Sequence, residues 1–241
     1  MKKIASLLAA LVAGASLQAQ METPKSSYSV TTDFTYTSKY VFRGVQRARD
    51  SFQPSVDVTV GDFYVNLWTN QPIIRHEDDE IDLSAGYRYK VTNALKLEAM
   101  GTYYWYPEAK GGSTRDAFEM GVGAIYDIAG VTSRIAYNYD FIRKANILEG
   151  SVGSSMPLPA IGSSLDVTVY AGTSKADDAA PDSGVTVRES YNYYGVDLRV
   201  PYQLSQNTKL SVGGHWANNE NYILGTPRNR FWFDVGVSAG F

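Results

Sequence analysis

The chain has no cysteine. That excludes a disulfide framework, a thiolate metal site and a lipidated N-terminal cysteine. It also lacks an excess of positive charge. Lys and Arg number 22 against 25 Asp and Glu, for a net charge of −3, so there is no basic footprint for nucleic acid. Histidine is nearly absent, with only His76 and His215. Beyond the first twenty residues no apolar run approaches the roughly 20 residues that a membrane helix requires. Mean hydropathy is slightly polar. These absences exclude a helical membrane protein, but not a barrel, whose strands dilute apolar residues with polar ones.

The N-terminal stretch reads as a targeting segment. Lys2 and Lys3 precede an apolar Ala/Leu-rich run over residues 4–17, and Leu17-Gln18-Ala19 is an acceptable cleavage site. Residues 1–19 are therefore expected to be a secretory signal peptide, leaving residues 20–241 as one domain. Removing Lys2 and Lys3 widens the acidic excess from −3 to −5.

What the chain does have is period-2 alternation. At its end Phe231, Phe233, Val235, Val237, Ala239 and Phe241 are apolar, and mostly small or polar residues separate them. One face of such a strand is greasy and the other is not. This segment, with Phe231, Phe233, Val235, Val237 and Phe241 as its core, resembles the C-terminal signal read by the barrel assembly machinery of the outer membrane. Similar segments are expected over residues 28–42, 52–60, 63–69, 80–89, 95–106, 116–126, 131–142, 147–156, 164–173, 189–200 and 208–217. The gaps alternate between open loops after odd segments and mostly shorter turns after even ones. About 12 strands of membrane-crossing length result.

The expected fold is thus all-β, a transmembrane antiparallel up-and-down β-barrel of about 12 strands with both termini periplasmic. Outward aromatics collect near strand ends. Tyr40, Phe42, Tyr103, Trp105, Tyr139, Phe141, Trp216, Phe231 and Phe233 would form an outer girdle. Tyr28, Phe63, Tyr87, Tyr89, Tyr126 and Phe241 would form a periplasmic one. A secreted β-sandwich would also alternate, but would need neither girdle.

Residues 37–45 read Thr-Ser-Lys-Tyr-Val-Phe-Arg-Gly-Val, and Gln53-Pro54, residues 61–65, residues 80–83 and residues 103–107 follow in order. In these the chain resembles the TorF-type putative porin family, a conserved hypothetical outer-membrane family with a Tyr-Val-Phe-Arg-Gly signature. The resemblance covers about residues 30–126. It implies an outer-membrane barrel and a pore, with no catalytic residue and no cofactor.

The out-of-phase residues are expected to line the interior. Those singled out are Lys39, Arg43, Asp57, Arg88, Lys96, Glu98, Glu119, Arg134, Asp140, Asp166, Asp197, Arg199, Lys209 and Asp234. A charge facing lipid near the midplane would cost roughly 2–4 kcal/mol. Bases fall toward the periplasmic half and acids toward the outer half, so a graded pore for small polar or charged solutes is expected. Cross-strand ion pairs that brace the wall explain the same residues. Arg43, at the mouth of the first hairpin, is expected to be the most exposed to solute.

Three other patterns carry less. The run His76 to Glu80, with Asp82, is a carboxylate cluster without the Gly-punctuated spacing of a Ca²⁺ loop. It reads better as a solvated loop facing lipopolysaccharide and other outer-leaflet groups, and no metal is expected. Residues 236–240 match Gly-x-Ser-x-Gly, but inside a strand and after both histidines, so a nucleophile elbow is rejected. An outer-membrane hydrolase would have to use His215, which reads better as a polar interior residue. A structural or adhesive barrel with functional loops is the third class. The expected partners are outer-membrane lipids, the assembly machinery and small solutes, and not nucleic acid.

Overall fold

A sheet with one apolar face leaves unpaired N–H and C=O groups along both edges, and hydrocarbon offers no water to satisfy them. Closure removes the edges. A computed structural model of the chain describes residues 28–74, 77–109, 115–176, 190–220 and 228–241, and in it the sheet closes. The expected signal peptide and His76 lie outside the described residues.

Twelve antiparallel strands follow one another around the ring. They are β1 (Tyr28–Phe42), β2 (Val45–Val60), β3 (Phe63–Pro72), β4 (Glu80–Lys90), β5 (Leu95–Trp105), β6 (Asp116–Ile128), β7 (Val131–Asp140), β8 (Ala145–Leu158), β9 (Ser163–Ala176), β10 (Ser190–Gln203), β11 (Thr208–Glu220) and β12 (Asn229–Gly240). Each pairs with its sequence neighbours, and β12 pairs with β1 to close the barrel. The seam runs from Thr31↔Gly240 to Thr37↔Asp234. It is locked at one end by hydrogen bonds between Val30 and Phe241, N to O at 3.2 and 2.8 Å. Tyr28 and Phe241 therefore share one end of the barrel, with the β2–β3, β4–β5, β6–β7, β8–β9 and β10–β11 turns. The β1–β2 turn and its alternates form the other end.

The greasy face points outward throughout. Phe34, Phe63, Leu83, Leu97, Val122, Ile135, Val152, Val169, Leu198, Val212 and Phe233 are all exposed, with Phe231 the most open at 68 %. Burying apolar surface against a core is worth about 25 cal/mol per Å², and this ring forgoes it on its outer face. Only a lipid surround makes that arrangement favourable. Inside lie the alternate residues, among them the buried Glu80, Glu98, Glu119, Asp140 and Asp234.

One boundary and one face differ from the sequence expectation in a way that matters. The second strand begins at Val45 rather than residue 52, so residues 45–51 of the expected open loop over residues 43–51 are instead strand. Tyr40 and Phe42, expected in the outer girdle, turn inward. Tyr40 packs on Trp68 at 5.2 Å and Phe42 on Tyr104 at 6.1 Å.

Candidate functional site: a hairpin folded into the barrel

The cause of that inward turn lies at Ser38. Up to Thr37, β1 alternates in phase with β12. There the Thr37 hydroxyl donates to the Lys39 carbonyl at 2.7 Å, and the Ser38 side chain takes the place of a strand neighbour. Its hydroxyl accepts from the Phe233 N–H at 3.0 Å and lies 3.2 Å from the Phe233 carbonyl. The Lys39 ammonium donates to the Phe231 carbonyl at 2.7 Å. Two side chains thus cap the β12 edge that β1 abandons. Lys39, expected to line the interior, is spent on this cap. The register with β2 shifts once more between Tyr40 and Val41, as a bulge does, and the hairpin bends into the ring.

Its tip is a two-residue turn. Arg43 and Gly44 have φ of 49° and 72°, the paired left-handed values that suit the twist of a hairpin. Gly44 is required there twice over, because a Cβ would also lie 2.8 Å from the Tyr193 Cβ and 3.0 Å from the Asn218 carbonyl.

The tip touches walls on opposite sides. Arg43 forms a fork with Glu119 of β6, at 2.6 and 2.8 Å. The Gly44 carbonyl accepts from Asn219 of β11 at 2.6 Å and from Arg230 of β12 at 3.2 Å. Val45, 3 % exposed, packs on Tyr191 and on Tyr193, which is 1 % exposed, with Tyr170 behind them. Strand β6 lies five places from β1 around a ring of twelve. Only a segment crossing the interior can reach it and β10–β12 together. Arg43 is therefore not the open residue expected at the mouth: its side chain is 13 % exposed and its guanidinium is paired.

Magnitudes place this hairpin as an obstruction. Twelve strands about 4.8 Å apart and tilted by about 40° make a ring roughly 24 Å across between backbones. Side chains from facing walls take about 5 Å each, and a strand pair with its side chains is about 10 Å thick. The hairpin occupies most of what remains.

The other interior charges gather into separate groups. Toward the end that holds Tyr28 and Phe241, the Glu98 carboxylate takes Arg88 and Arg134, both at 2.9 Å, and the Tyr64 hydroxyl at 3.0 Å. Arg88 also lies 4.1 Å over the Tyr64 ring. Beside the seam, Asp234 takes Arg199 at 2.7 Å and the His215 Nε2 at 2.7 Å, while His215 Nδ1 meets Asp197 at 2.7 Å. Trp232 stacks on the imidazole at 5.0 Å. Lys96 pairs with Asp127 at 3.1 Å, and Asp57 accepts from Asn66 at 2.9 Å. Asp166 accepts from Ser155 and Ser164 at 2.5 and 2.9 Å. Asp140 caps the β7–β8 turn through the N–H groups of Ile142 and Arg143. Lys209 faces inward near the Phe241 end with an exposed side chain.

The weaker sequence patterns disperse. Glu77 pairs with Arg49 at 2.8 Å and Glu80 accepts from Tyr106 at 3.1 Å. Burial, with Glu108 nearby, raises the Asp79 carboxyl above its usual range. No group of three metal-ligating side chains forms among the described residues. His215 has both ring nitrogens engaged by carboxylates, and the Ser211 hydroxyl meets Arg199 at 3.1 Å instead. Sequence reasoning missed Tyr170, Tyr191, Tyr193, Asn219 and Arg230 as the seat of the tip. An Arg-Gly pair between alternating segments is the signal that could have found the turn.

Residues 21–148 match a family described as bacterial protein of unknown function (Gcw_chp). The chain belongs to this family. The Gcw_chp match takes in β1 to β7, and with them Tyr40 to Gly44 and Glu119. No curated protein matches the sequence. Among solved structures the fold is similar to a KdgM porin in complex with disordered oligogalacturonate (12 % identity, 88 % of this chain and 99 % of that one, TM-score 0.57). It is also similar to the NanC porin (9 %, 87 % and 98 %, 0.56). The translocator domain of the autotransporter NalP from Neisseria meningitidis follows (12 %, 98 % and 97 %, 0.53). At these identities the likeness is one of fold: this Gcw_chp chain has the closed architecture of outer-membrane barrels.

Proposed function

We propose that this protein is an outer-membrane channel through which small polar or charged solutes diffuse passively, as the resemblance to TorF-type porins implies. The observation that carries the reading is a closed ring, apolar on its whole outer face, whose interior holds charges of both signs. Such charges are costly against lipid and tune selectivity along a hydrated path. In this reading residues 1–19 are cleaved, both termini lie in the periplasm, and Phe231 to Phe241 is the assembly signal. The fold shared with KdgM and NanC supports it. The KdgM complex holds a charged carbohydrate, which supports charged solutes for a barrel of this size.

The test is reconstitution of the folded barrel in planar bilayers. Stepwise, salt-dependent conductance is expected. Its absence, in the wild type and in variants with a loosened hairpin alike, would refute the channel. A second reading, a sealed structural barrel, is favoured by one observation, the hairpin across the interior, and a silent wild type whose loosened variants also stay silent supports it.

A further inference from the structure

We infer that the hairpin from Tyr40 to Arg49 is the size filter of this channel, and that the Arg43–Glu119 pair holds it across the opening. The inference rests on the channel reading and deepens it. It accounts for four of the five residues of the Tyr-Val-Phe-Arg-Gly stretch, and for the Val45 that follows it. Tyr40 and Phe42 anchor the flank on Trp68 and Tyr104. Arg43 reaches the far wall. Gly44 supplies the turn and a carbonyl that two donors hold. Val45 enters the tyrosine pocket.

Two features mark the hairpin as a device set apart from the wall. It is joined to β12 by the side chains of Ser38 and Lys39 instead of by a ladder. Among the described residues its tip is held by an ion pair, by hydrogen bonds from Asn219 and Arg230 and by the seating of Val45. A bidentate Arg–carboxylate pair is both strong and directional, so it sets where the tip rests. A solute must pass beside the tip, and the gap there is smaller than the ring.

The experiment uses the full refolded chain in proteoliposomes. Swelling is followed with uncharged sugars from mono- to tetrasaccharides, and conductance in planar bilayers. Heat-modifiable gel mobility verifies that each barrel is folded. The expected result is that Arg43→Ala and Glu119→Gln admit larger sugars than the wild type and conduct severalfold better. The reversed pair, Arg43→Glu with Glu119→Arg, returns both toward the wild type. Identical cut-offs and conductance in a conducting wild type and its variants would overturn the filter and leave the channel standing. Silence in every protein would overturn the channel itself. A second measurement uses the cysteine-free background. Val45→Cys is expected to react slowly with a bulky maleimide, and rapidly once Arg43→Ala is added. Equal rates would overturn the seating of the tip.

Discussion

Replacing Glu98 with Ala tests how the wall carries its charge. The carboxylate is 2 % exposed and holds Arg88, Arg134 and Tyr64. Hydrogen bonds to charged groups are worth about 1.5–3 kcal/mol each. The Arg88 side chain is 45 % exposed, so solvent screening places its share at the bottom of that range. Arg134, 29 % exposed, loses more, because its charge stays behind in the wall. Removing one partner of a fully buried pair costs about 3–5 kcal/mol, which is an upper bound here. A loss of about 3 kcal/mol is expected for Ala. About half that is expected for Gln, which keeps an acceptor. Urea unfolding of the refolded barrel in lipid vesicles, followed by tryptophan emission, measures it. The same variants leave two guanidinium groups without their acid, so the reversal potential in a salt gradient should move toward anions. An Ala variant within about 0.5 kcal/mol of the wild type would show that water already neutralises the arginines, and the bracing argument would fail.

Other substitutions probe other parts of the same wall. Gly44→Ala forces a Cβ at φ 72° against Tyr193 and Asn218. About 1–2 kcal/mol of backbone strain should unseat the tip, read as faster labelling of Val45→Cys. Arg199→Glu removes a pair with Asp234 and sets an acid beside it. Bilayer recordings should show a shift toward cations, and no shift would mean that the solute path avoids this group. Phe241→Ser should lower the yield of folded barrel in the outer membrane, scored by heat-modifiable mobility. An unchanged yield would remove the terminal strand from the assembly signal.

The architecture was legible because alternation is a local property that closure obeys. Twelve strands, the seam between β12 and β1 and, after the first hairpin, most of the odd–even rhythm of their connections follow from phase and spacing in the sequence. The hairpin was not legible for the same reason. Alternation counted through residues 28–42 assumes that phase is kept, and a one-residue slip exchanges the faces. Here Ser38 and Lys39 use their side chains on β12, so Tyr40 and Phe42 change face. The same slip hid β2. Residues 45–51 read Val-Gln-Arg-Ala-Arg-Asp-Ser, a polar run that looks like a loop when only an apolar outer face is counted as strand. Inside the ring the hairpin has no face turned to lipid, so that pattern does not apply.

The interior charges show how pairing changes the expected gradient. In sequence, bases crowd one half of the strands and acids the other. In the fold most are consumed locally, by Arg88 and Arg134 with Glu98, Arg199 and His215 with Asp234, and Arg43 with Glu119. Paired charges of opposite sign project little field beyond a Debye length of about 8 Å. What a solute meets is the remainder. Around the tip Glu80, Asp82, Glu119 and Asp140 gather with Arg43 and with Arg143, which lies 3.4 Å from Asp140, and one Asp82 oxygen is buried without a hydrogen bond. Around Glu98 two cations share one anion. The interior charges thus stand as mixed-sign groups rather than as rows of free charges. In the proposed channel, single reversals at Arg88 or Arg199 would act on selectivity through these groups, while the hairpin would act on size.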